Sequence, residues 1–358
     1  MGSAEGRRRP TMVDVAARAG VSRALVSLVF RDAPGASAES REKVLRAAEE
    51  LGYRPDNAAR LLARGRSRTL GVLMTVREPF EADLVEVIYP EAERRGYDVL
   101  LSASTPGRDE AKAVEALLAH RCEGVILLGP VVDDAFLDEL GARAVAVVVG
   151  RGAGGAAVDS VRSADAEGMR QAVDHLVGLG HRRIVHVDGG PSGPNARVRR
   201  EGYVAAMRAH GLDRDVRILP GAYHEDAGIA AGRMLLAEDS LPTAVIAAND
   251  RCAIGLLDTL RRAGVDVPAE VSVVGYNDDH LAHLSHVDLT TVRQDAAGLA
   301  QNAVRAAVER LEEEVPPREV VLPGPGRAGH DRPTPPLTRR FAGPGPWPNV
   351  CVGPRSCA

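Results

Sequence analysis

Residues 11–31 read TMVDVAARAGVSRALVSLVFR, and this stretch decides the fold of the first part of the chain. Its first half carries apolar residues at the spacing of one helix face, namely Met12, Val15, Ala16 and Ala19. Its second half carries a matching apolar face at Leu25, Val26 and Val29. The pattern therefore predicts two short helices, one directly after the other.

The residues between and before these helices are typical of helix ends. Thr11 stands where an N-cap belongs, with Asp14 three residues later, and Ser22 is placed to cap the second helix. Gly20 permits a sharp break between the two. Two short helices joined in this way form a helix-turn-helix, whose second helix lies in the DNA major groove with its N-terminal residues facing the bases. Those residues would be Ser22, Arg23, Ala24 and Ser27.

An ordinary helical hairpin in a domain core is the alternative to DNA binding, and the distribution of charge argues against it. Residues 1–68 carry a net charge of +6, whereas the rest of the 358-residue chain carries −10. A basic segment on an acidic body indicates a nucleic-acid-binding module attached to a part that does not bind nucleic acid. The basic segment coincides with the predicted helix pair.

Composition and cysteine spacing restrict the class of protein. Hydrophobic residues make up 45% and charged residues 26% of the chain, which is typical of a soluble globular protein. The four cysteines (Cys122, Cys252, Cys351 and Cys357) show neither metal-ligand nor disulfide spacing. No apolar stretch is long enough to span a membrane, and no signal peptide is recognisable. We therefore expect a reduced, cytoplasmic protein with no cofactor and no metal.

Two further helices are predicted before residue 69. Ser37 begins one, and Gly52 ends it. Pro55 begins the other, a short helix that Gly65 ends. Isolated helices of fewer than about 12 residues are marginal in water, so this one should fold only against a partner or against DNA.

From Leu70 onward, apolar β-branched runs alternate with amphipathic helical stretches, which is typical of parallel sheets covered on both faces. About 250 residues of this pattern suit two sheets better than one. The predicted strands are 70–76, 98–101, 124–128, 144–149, 184–187, 244–247, 271–274, 289–292 and 319–322. The predicted helices between them are 82–95, 109–120, 165–179, 197–209, 226–237, 251–263 and 295–313.

The predicted organisation has five parts. They are a disordered basic arm (1–10), a helix-turn-helix headpiece (11–56), a hinge helix and linker (57–68), a two-lobed α/β domain with two doubly wound parallel sheets (69–322), and a disordered tail rich in Pro, Gly and Arg (323–358).

Five segments, in this order along the chain, resemble the LacI/GalR family of transcriptional regulators. They are TMVDVAARAGVS (11–22), REKVLRAAEELGYRPD (41–56), HLVGLGHRRI (175–184), AAND (247–250) and VSVVGYND (271–278). The resemblance implies a helix-turn-helix headpiece, a hinge helix and a two-lobed effector domain of the periplasmic-binding-protein type. It also implies a homodimer that binds double-stranded DNA at a pseudo-palindromic operator and responds to a small effector, here expected to be a carbohydrate.

The resemblance extends the candidate DNA-binding residues beyond Ser22, Arg23, Ala24 and Ser27. Arg23 can donate two hydrogen bonds to a guanine, and Ala24 can contact a thymine methyl group. Arg31 is expected at a phosphate. In the family, a leucine matching Leu62 inserts between bases in the minor groove, and an apolar wedge of that kind kinks DNA. The full candidate set adds Thr11, Arg31, Asn57, Ala58, Ala59, Arg60 and Leu62.

The candidate effector-binding residues follow from the family pattern in the second domain. They are Phe80, Arg151, Arg199, Tyr223, Asn249 and Asn277. Arginine and carboxamide groups suit the hydroxyls of a sugar, and the two aromatic residues would stack on it. Asp165, at the start of a predicted helix, is interpreted as an N-cap rather than a ligand group.

Two departures from the family pattern affect the expected charge of the cleft. Many sugar-binding members carry Asp where this chain has Gly150-Arg151, and a frequent Asp is replaced by Asn277. Both changes remove negative charge, and Arg151 would add positive charge. The hypothesis is a neutral or anionic ligand, such as a phosphorylated or acidic sugar.

A third departure lies at the C-terminus, where Gly324-Pro325-Gly326 replaces a strand-forming segment of the family. The distal lobe is therefore expected to lack a strand.

Two other functions remain as alternatives. A solute-binding protein of a transporter would share the two-lobed fold, but the predicted headpiece disfavours it. An enzyme on a doubly wound sheet is disfavoured because neither a GxGxxG after the first strand nor a G-x-S-x-G elbow is present. We therefore expect no catalytic residues and no enzymatic activity.

Overall fold

The structure is a computed structural model, and it describes residues 10–30, 34–53, 66–155, 157–191, 193, 195–323 and 327–328. The chain divides into two compact units, residues 1–67 and 68–358. The predicted arm before residue 10, Arg31 and the whole predicted hinge helix, including Asn57, Ala58, Ala59, Arg60 and Leu62, lie outside the described residues.

The first unit contains the predicted helix-turn-helix and a third helix. Their bounds are α1 (Met12–Ala19), α2 (Arg23–Phe30) and α3 (Ala38–Leu51). The N–H and the hydroxyl of Thr11 both donate to the Asp14 carboxylate, each at 2.7 Å, and this fixes the start of α1. Gly20 has φ 68°, which is the left-handed conformation expected at the break. The core contains one apolar stripe from each helix, with Val15, Val26 and Val44 fully buried.

The second unit consists of two lobes, each built around one sheet. The sheet of the proximal lobe has the strand order β11-β5-β4-β3-β1-β2, and every pair in it is parallel. Its strands are β1 (Thr69–Thr75), β2 (Asp98–Ser104), β3 (Gly124–Leu128), β4 (Val145–Val149), β5 (Asp159–Ser163) and β11 (Glu319–Leu322). The helices on its two faces are α4 (Pro79–Arg94) and α11 (Ala296–Glu312) on one, and α5 (Glu110–Ala119) and α6 (Asp134–Arg143) on the other.

The distal lobe repeats this architecture with the strand order β12-β10-β9-β8-β6-β7. Its strands are β6 (Ile184–Val187), β7 (Arg217–Leu219), β8 (Ala244–Ile246), β9 (Ser272–Asn277), β10 (Thr290–Arg293) and β12 (Arg327–Ala328). One face is covered by α7 (Asp165–Gly178) and α8 (Ala196–Ala209), the other by α9 (Glu225–Leu236) and α10 (Asp250–Arg262). Single 3₁₀ turns lie at Asp213–Asp215 and His280–His283.

The chain passes between the lobes three times. It leaves the proximal lobe after β5, returns after β10 to form α11 and β11, and reaches the distal lobe again at β12. Each lobe is therefore assembled from segments that are distant in sequence. The doubly wound pair of parallel sheets predicted from the alternating pattern is confirmed.

The prediction of a structureless tail from residue 323 is wrong at its start. Arg327–Ala328 form β12, antiparallel to Thr291 and Val292 of β10, so the distal lobe does not lack this strand. Backbone groups at a sheet edge pair with any extended segment beside them, whatever its side-chain pattern. Most of the remaining tail lies outside the described residues.

Three other elements were not predicted: β5, β7 and α6. Within the described ranges, no helix is both long enough and apolar enough to cross a membrane. The same ranges contain no cluster of three or more His, Cys, Asp or Glu side chains arranged to hold a metal ion.

Candidate functional site

The N-terminal end of α2 presents polar side chains at the surface of the first unit. Ser22, Arg23 and Ala24 are exposed, whereas Ser27 is half-buried. The Ser22 hydroxyl accepts the N–H of Leu25 at 3.2 Å, as expected of a cap. Within the described residues Arg23 makes no ion pair, whereas Arg18, Lys43 and Arg46 of the same unit each pair with a glutamate and Arg41 donates to the Val29 carbonyl. The Arg23 guanidinium is therefore available to an external acceptor.

A cavity of about 190 Å³ lies between the two lobes of the second unit. Its proximal wall is formed by Thr75, Glu78, Phe80, Glu81, Leu84, Gly129, Val131, Val149 and Gly150, and its distal wall by Asn195, Arg199, Tyr223, Asn249, Asn277 and Gln294. Five of the six predicted effector-binding residues are thus brought together: Phe80, Arg199, Tyr223, Asn249 and Asn277. Polar residues converge here because strands β1, β4 and β9 end at the cleft, and ligands of open α/β sheets bind beyond the carboxyl ends of strands.

Arg199 is the buried cation of the distal wall, with 4% of the residue exposed. Its Nε donates to Asp165 Oδ1 and its Nη1 donates to the Ala248 carbonyl, both at 2.8 Å. Nη2 takes part in neither of these two hydrogen bonds. Burial alone would lower the pKa of Arg199, but the Asp165 carboxylate raises that pKa above its ordinary value. The interpretation of Asp165 as an N-cap is wrong, because Ala164 occupies the N-cap position and the Asp165 side chain pairs with Arg199.

Two tyrosines flank the Arg199 guanidinium. Its central carbon lies 3.6 Å from the ring centroid of Tyr276 and 5.6 Å from that of Tyr223, which are cation–π contacts. The Tyr223 ring packs on glycine backbone, since a Cβ at Gly189 would lie 2.5 Å from its Cζ. Tyr276 escaped the sequence analysis because a buried aromatic residue at the end of a strand looks like any other core residue.

The carboxamides at the cleft are already engaged with protein groups. Asn249 Oδ1 accepts the N–H of Cys252 at 2.9 Å and so caps α10, while its Nδ2 donates to the Tyr223 carbonyl at 3.2 Å. Asn277 Oδ1 accepts from Gln294 Nε2 at 2.7 Å. Asn277 also has φ 131°, a conformation that favours glycine, and strain of this kind concentrates at binding sites. Gln294 was not predicted, because nothing in its sequence context marks it.

Arg151 stands apart from the other predicted effector-binding residues. It does not line the cavity, and its Nη2 donates to Asp134 Oδ1 at 2.7 Å. Its charge is therefore paired with a carboxylate on α6 instead of being directed into the cleft.

The cavity is also lined by two acidic residues that were not predicted from the sequence, Glu78 and Glu81. Glu81 is 6% exposed and accepts the N–H of Thr75 at 2.5 Å. Glu78 Oε1 is buried and has no hydrogen-bond partner in the part of the chain that the structure describes. Burial raises the pKa of Glu78 to about 7 and that of Glu81 well above its ordinary value. The cleft therefore contains two carboxyl groups, although the replacement of the family's aspartates by Gly150-Arg151 and Asn277 predicted fewer acidic groups there.

Two ion pairs connect the lobes across this cleft. Glu78 Oε2 of the proximal lobe lies 3.5 Å from Arg251 Nη1 of the distal lobe, and Arg251 Nε also donates to Glu225 Oε1 at 2.9 Å. Asp83 Oδ1 on α4 lies 3.9 Å from His280 Nδ1, and this contact is an ion pair when the histidine is protonated. The separation of the lobes is thus fixed in part by charged groups of both lobes.

Replacing Glu78 with glutamine should raise the stability of the ligand-free protein, and more so at higher pH. A carboxylate whose pKa is raised by folding contributes stability below its unfolded pKa and loses it as pH rises through the folded pKa, here from 4.5 to about 7. Arg251 opposes this shift, whereas Asp279 and Glu225 add to it. The Tm of Glu78→Gln minus that of the original protein should therefore increase between pH 5 and pH 8.

The control for this titration is Glu319→Gln, whose carboxyl pairs with Arg162 and does not contact Glu78 or Arg251. Because the hydrogen bond from Arg162 lowers the pKa of Glu319, the stability that this group contributes is present above pH 4.5, and the corresponding Tm difference should be constant from pH 5 to pH 8. Parallel melting curves for the original protein and Glu78→Gln at all pH values would contradict the raised pKa of Glu78.

Comparison with known proteins decides the family. Residues 11–56 match the model described as bacterial regulatory proteins of the lacI family, and residues 173–328 match a periplasmic binding protein-like domain. The HTH-type transcriptional regulator CelR of Thermobifida fusca is 34% identical over an alignment of 318 positions that covers 86% of this chain and 93% of the relative. The chain belongs to the LacI family. It is accordingly a DNA-binding transcriptional regulator and not an enzyme.

Solved structures of LacI-family members show the same fold. A LacI transcriptional regulator from a Rhodococcus species is 45% identical, with a TM-score of 0.72 over 75% of this chain and 99% of that one. The lac repressor dimer bound to operator and an anti-inducer is 30% identical, with a TM-score of 0.77, and the match covers 89% of this chain and 98% of that one. A CelR–cellobiose complex is 32% identical, with a TM-score of 0.64, and the match covers 89% of this chain and 98% of that one.

Proposed function

We propose that this LacI-family regulator is a repressor whose operator affinity is changed by a small sugar-like effector in the cleft between its lobes. The observation that carries the proposal is the combination, in one chain, of an exposed arginine at the start of α2 and a polar cavity between two lobes. The cellobiose in the CelR structure supports a carbohydrate as the effector. The site of action is the cytoplasm, where operator DNA is found.

The DNA-contacting surface that we propose has two parts. Ser22, Arg23, Ala24 and Ser27 would face base edges, with Thr11 and Arg31 near phosphates. The second part, Asn57, Ala58, Ala59, Arg60 and Leu62, would enter the minor groove as a hinge helix.

We further propose that the protein acts as a homodimer on a pseudo-palindromic operator. The dimeric state of the operator-bound lac repressor supports this. Strand β2 is an edge of the proximal sheet, where its Leu101 is 38% exposed, and Tyr89 of the covering helix α4 is 45% exposed. Exposed apolar side chains next to an unpaired strand edge are suited to contact with a second copy.

The effector would act by linkage between the two sites. A ligand that binds one arrangement of the lobes better than another shifts the equilibrium by its differential affinity and no more. The arrangement depends on the cross-lobe pairs of Glu78 with Arg251 and of Asp83 with His280.

The proposal is tested by selecting DNA from a random library with the purified full-length protein and then measuring its affinity with and without sugars. We expect a two-fold symmetric sequence bound far more tightly than unrelated DNA. A sugar should change that affinity without changing binding to unrelated DNA. Equal affinity for selected and unrelated DNA would refute the proposed function.

Arg23→Ala should weaken binding to the selected operator by about 1–3 kcal/mol, because a bidentate contact to a base is lost. Fluorescence anisotropy against operator and against scrambled DNA measures this loss. Arg46→Ala is the matched control, since Arg46 is exposed in the same headpiece but pairs with Glu42 of its own helix. If Arg23→Ala weakened both DNA sequences equally, Arg23 would be a phosphate contact instead of a base contact.

A further inference from the structure

Glu78 lines the cavity, and its two carboxyl oxygens lie in different surroundings. Oε1 is buried and has no hydrogen-bond partner within the described residues. Oε2 lies 3.5 Å from Arg251 Nη1 of the opposite lobe. A buried acceptor without a donor costs free energy, so such an atom indicates a ligand group that is missing.

The remaining cavity groups determine which ligand charge is accepted. The Arg199 cation is compensated by Asp165, and Arg151 is directed elsewhere. Glu78 and Glu81 both bring carboxyl groups to the wall, and Gln294 Nε2 donates to Asn277 Oδ1. Burial already raises the pKa of both carboxyl groups, which means that the wall disfavours negative charge, and a phosphate or carboxylate would add more of it.

We propose that Glu78 determines effector specificity. Its Oε1 accepts a hydrogen bond from a hydroxyl of a neutral sugar, and the same carboxyl group excludes phosphorylated and acidic sugars. Its Oε2 responds to the bound sugar through its contact with Arg251 of the opposite lobe. This inference rests on the proposed function and names the effector class of that same cleft. It replaces the anionic half of the expectation drawn from Gly150-Arg151 and Asn277.

The coupling follows from the geometry of a single carboxylate. A hydroxyl bound at Oε1 restricts rotation of the group and so holds Oε2 toward Arg251. At 3.5 Å the pair is longer than the 2.7–2.9 Å of a good charge-assisted hydrogen bond, so it can still shorten. Arg251 is held from behind by Glu225, and a shorter contact would therefore draw the lobes together.

The test is isothermal titration of the full-length protein with neutral sugars (glucose, ribose and cellobiose) and with the anionic glucose 6-phosphate and glucuronate. We expect binding of at least one neutral sugar and no tighter binding of either anion. Glu78→Gln should weaken the neutral sugar roughly 10- to 100-fold, as for a lost hydrogen bond to a charged group. Glu86→Gln, at an exposed glutamate of helix α4 that does not line the cavity, should change the sugar affinity less than threefold.

A double-mutant cycle with Arg251→Gln tests the coupling separately. In the Arg251→Gln background, the sugar should no longer alter operator affinity, and Glu78→Gln should cost less sugar affinity than it does alone. If the effects of Glu78→Gln and Arg251→Gln on sugar affinity were additive, the proposed coupling between the two residues would be overturned. If either anionic sugar bound more tightly than every neutral one, the proposed specificity would be overturned. Failure of every neutral sugar to bind would also overturn this inference, whereas the proposed function fails only if sequence-specific DNA binding is absent as well.

Discussion

Arg199→Met is expected to lower the free energy of unfolding by about 3–5 kcal/mol, because it leaves the Asp165 carboxylate buried without its cation. The side chains of Arg199 and Asp165 are only 5% and 2% exposed, so water cannot replace the lost partner. The variant also loses the stack on Tyr276 and the bond to the Ala248 carbonyl. Chemical denaturation of the ligand-free protein measures the change.

A second substitution separates structural loss from loss of ligand binding. Asp165→Asn in the Arg199→Met background removes the uncompensated charge and should restore much of the stability. It should not restore sugar binding, because the guanidinium that faces the cavity is still absent. Arg197→Met is the control, because Arg197 pairs with Glu201 on the same helix and both side chains are exposed; such pairs contribute at most about 1 kcal/mol. Unchanged stability of Arg199→Met would show that the pair is not a buried one.

Gly228→Ala is the second large effect that we expect, at about 3 kcal/mol and a Tm lower by about 6–12 °C. An added Cβ would lie 1.9 Å from the Cys252 carbonyl oxygen and 2.7 Å from the Leu256 nitrogen. These are backbone atoms of the neighbouring helix α10, so relief requires α9 and α10 to separate. That separation would also move Glu225 away from Arg251.

Gly178→Ala is the matched control, since Gly178 lies in helix α7 with nothing within 4 Å of an added Cβ. Alanine has the higher helix propensity, so this variant should be unchanged or slightly more stable, by up to about 1 kcal/mol. Equal Tm values for Gly228→Ala and Gly178→Ala would refute the close packing of α9 on α10.

The fold could be predicted because its signals are local. Caps at Thr11, Ser22 and Ser37 and the apolar faces between them specify the headpiece without any distant contact. In the second unit, buried parallel strands read as continuous apolar runs. The strands that were missed lack this signal: Asp159–Ser163 is polar in sequence yet buried, since its polar groups pair with Arg310 and the backbone of Arg318.

The candidate site could be predicted only in part, for a physical reason. Residues that follow strands, such as Asn249 and Asn277, are marked by their position in the pattern. Glu78 and Glu81 are not, because a glutamate at the start of a helix is ordinarily a solvated group that suits the helix dipole. Glu78 meets Arg251 of the other lobe, which is distant in sequence, and Glu81 is buried within the proximal lobe, where it accepts the Thr75 N–H. The pairing of Arg199 with Asp165 is hidden in the same way.

The three passages of the chain between the lobes have a consequence for synthesis on the ribosome. The proximal lobe is begun first but is completed only after most of the distal lobe, because Leu299, Ala303 and Val304 of α11 pack into its core after the strands from β6 to β10 have been made. At roughly 5–20 residues per second, the stretch between β5 and α11 takes on the order of 10 s to translate. During that interval the nascent chain carries an uncovered apolar sheet face, so a chain arrested before Ala296 should be a good chaperone substrate.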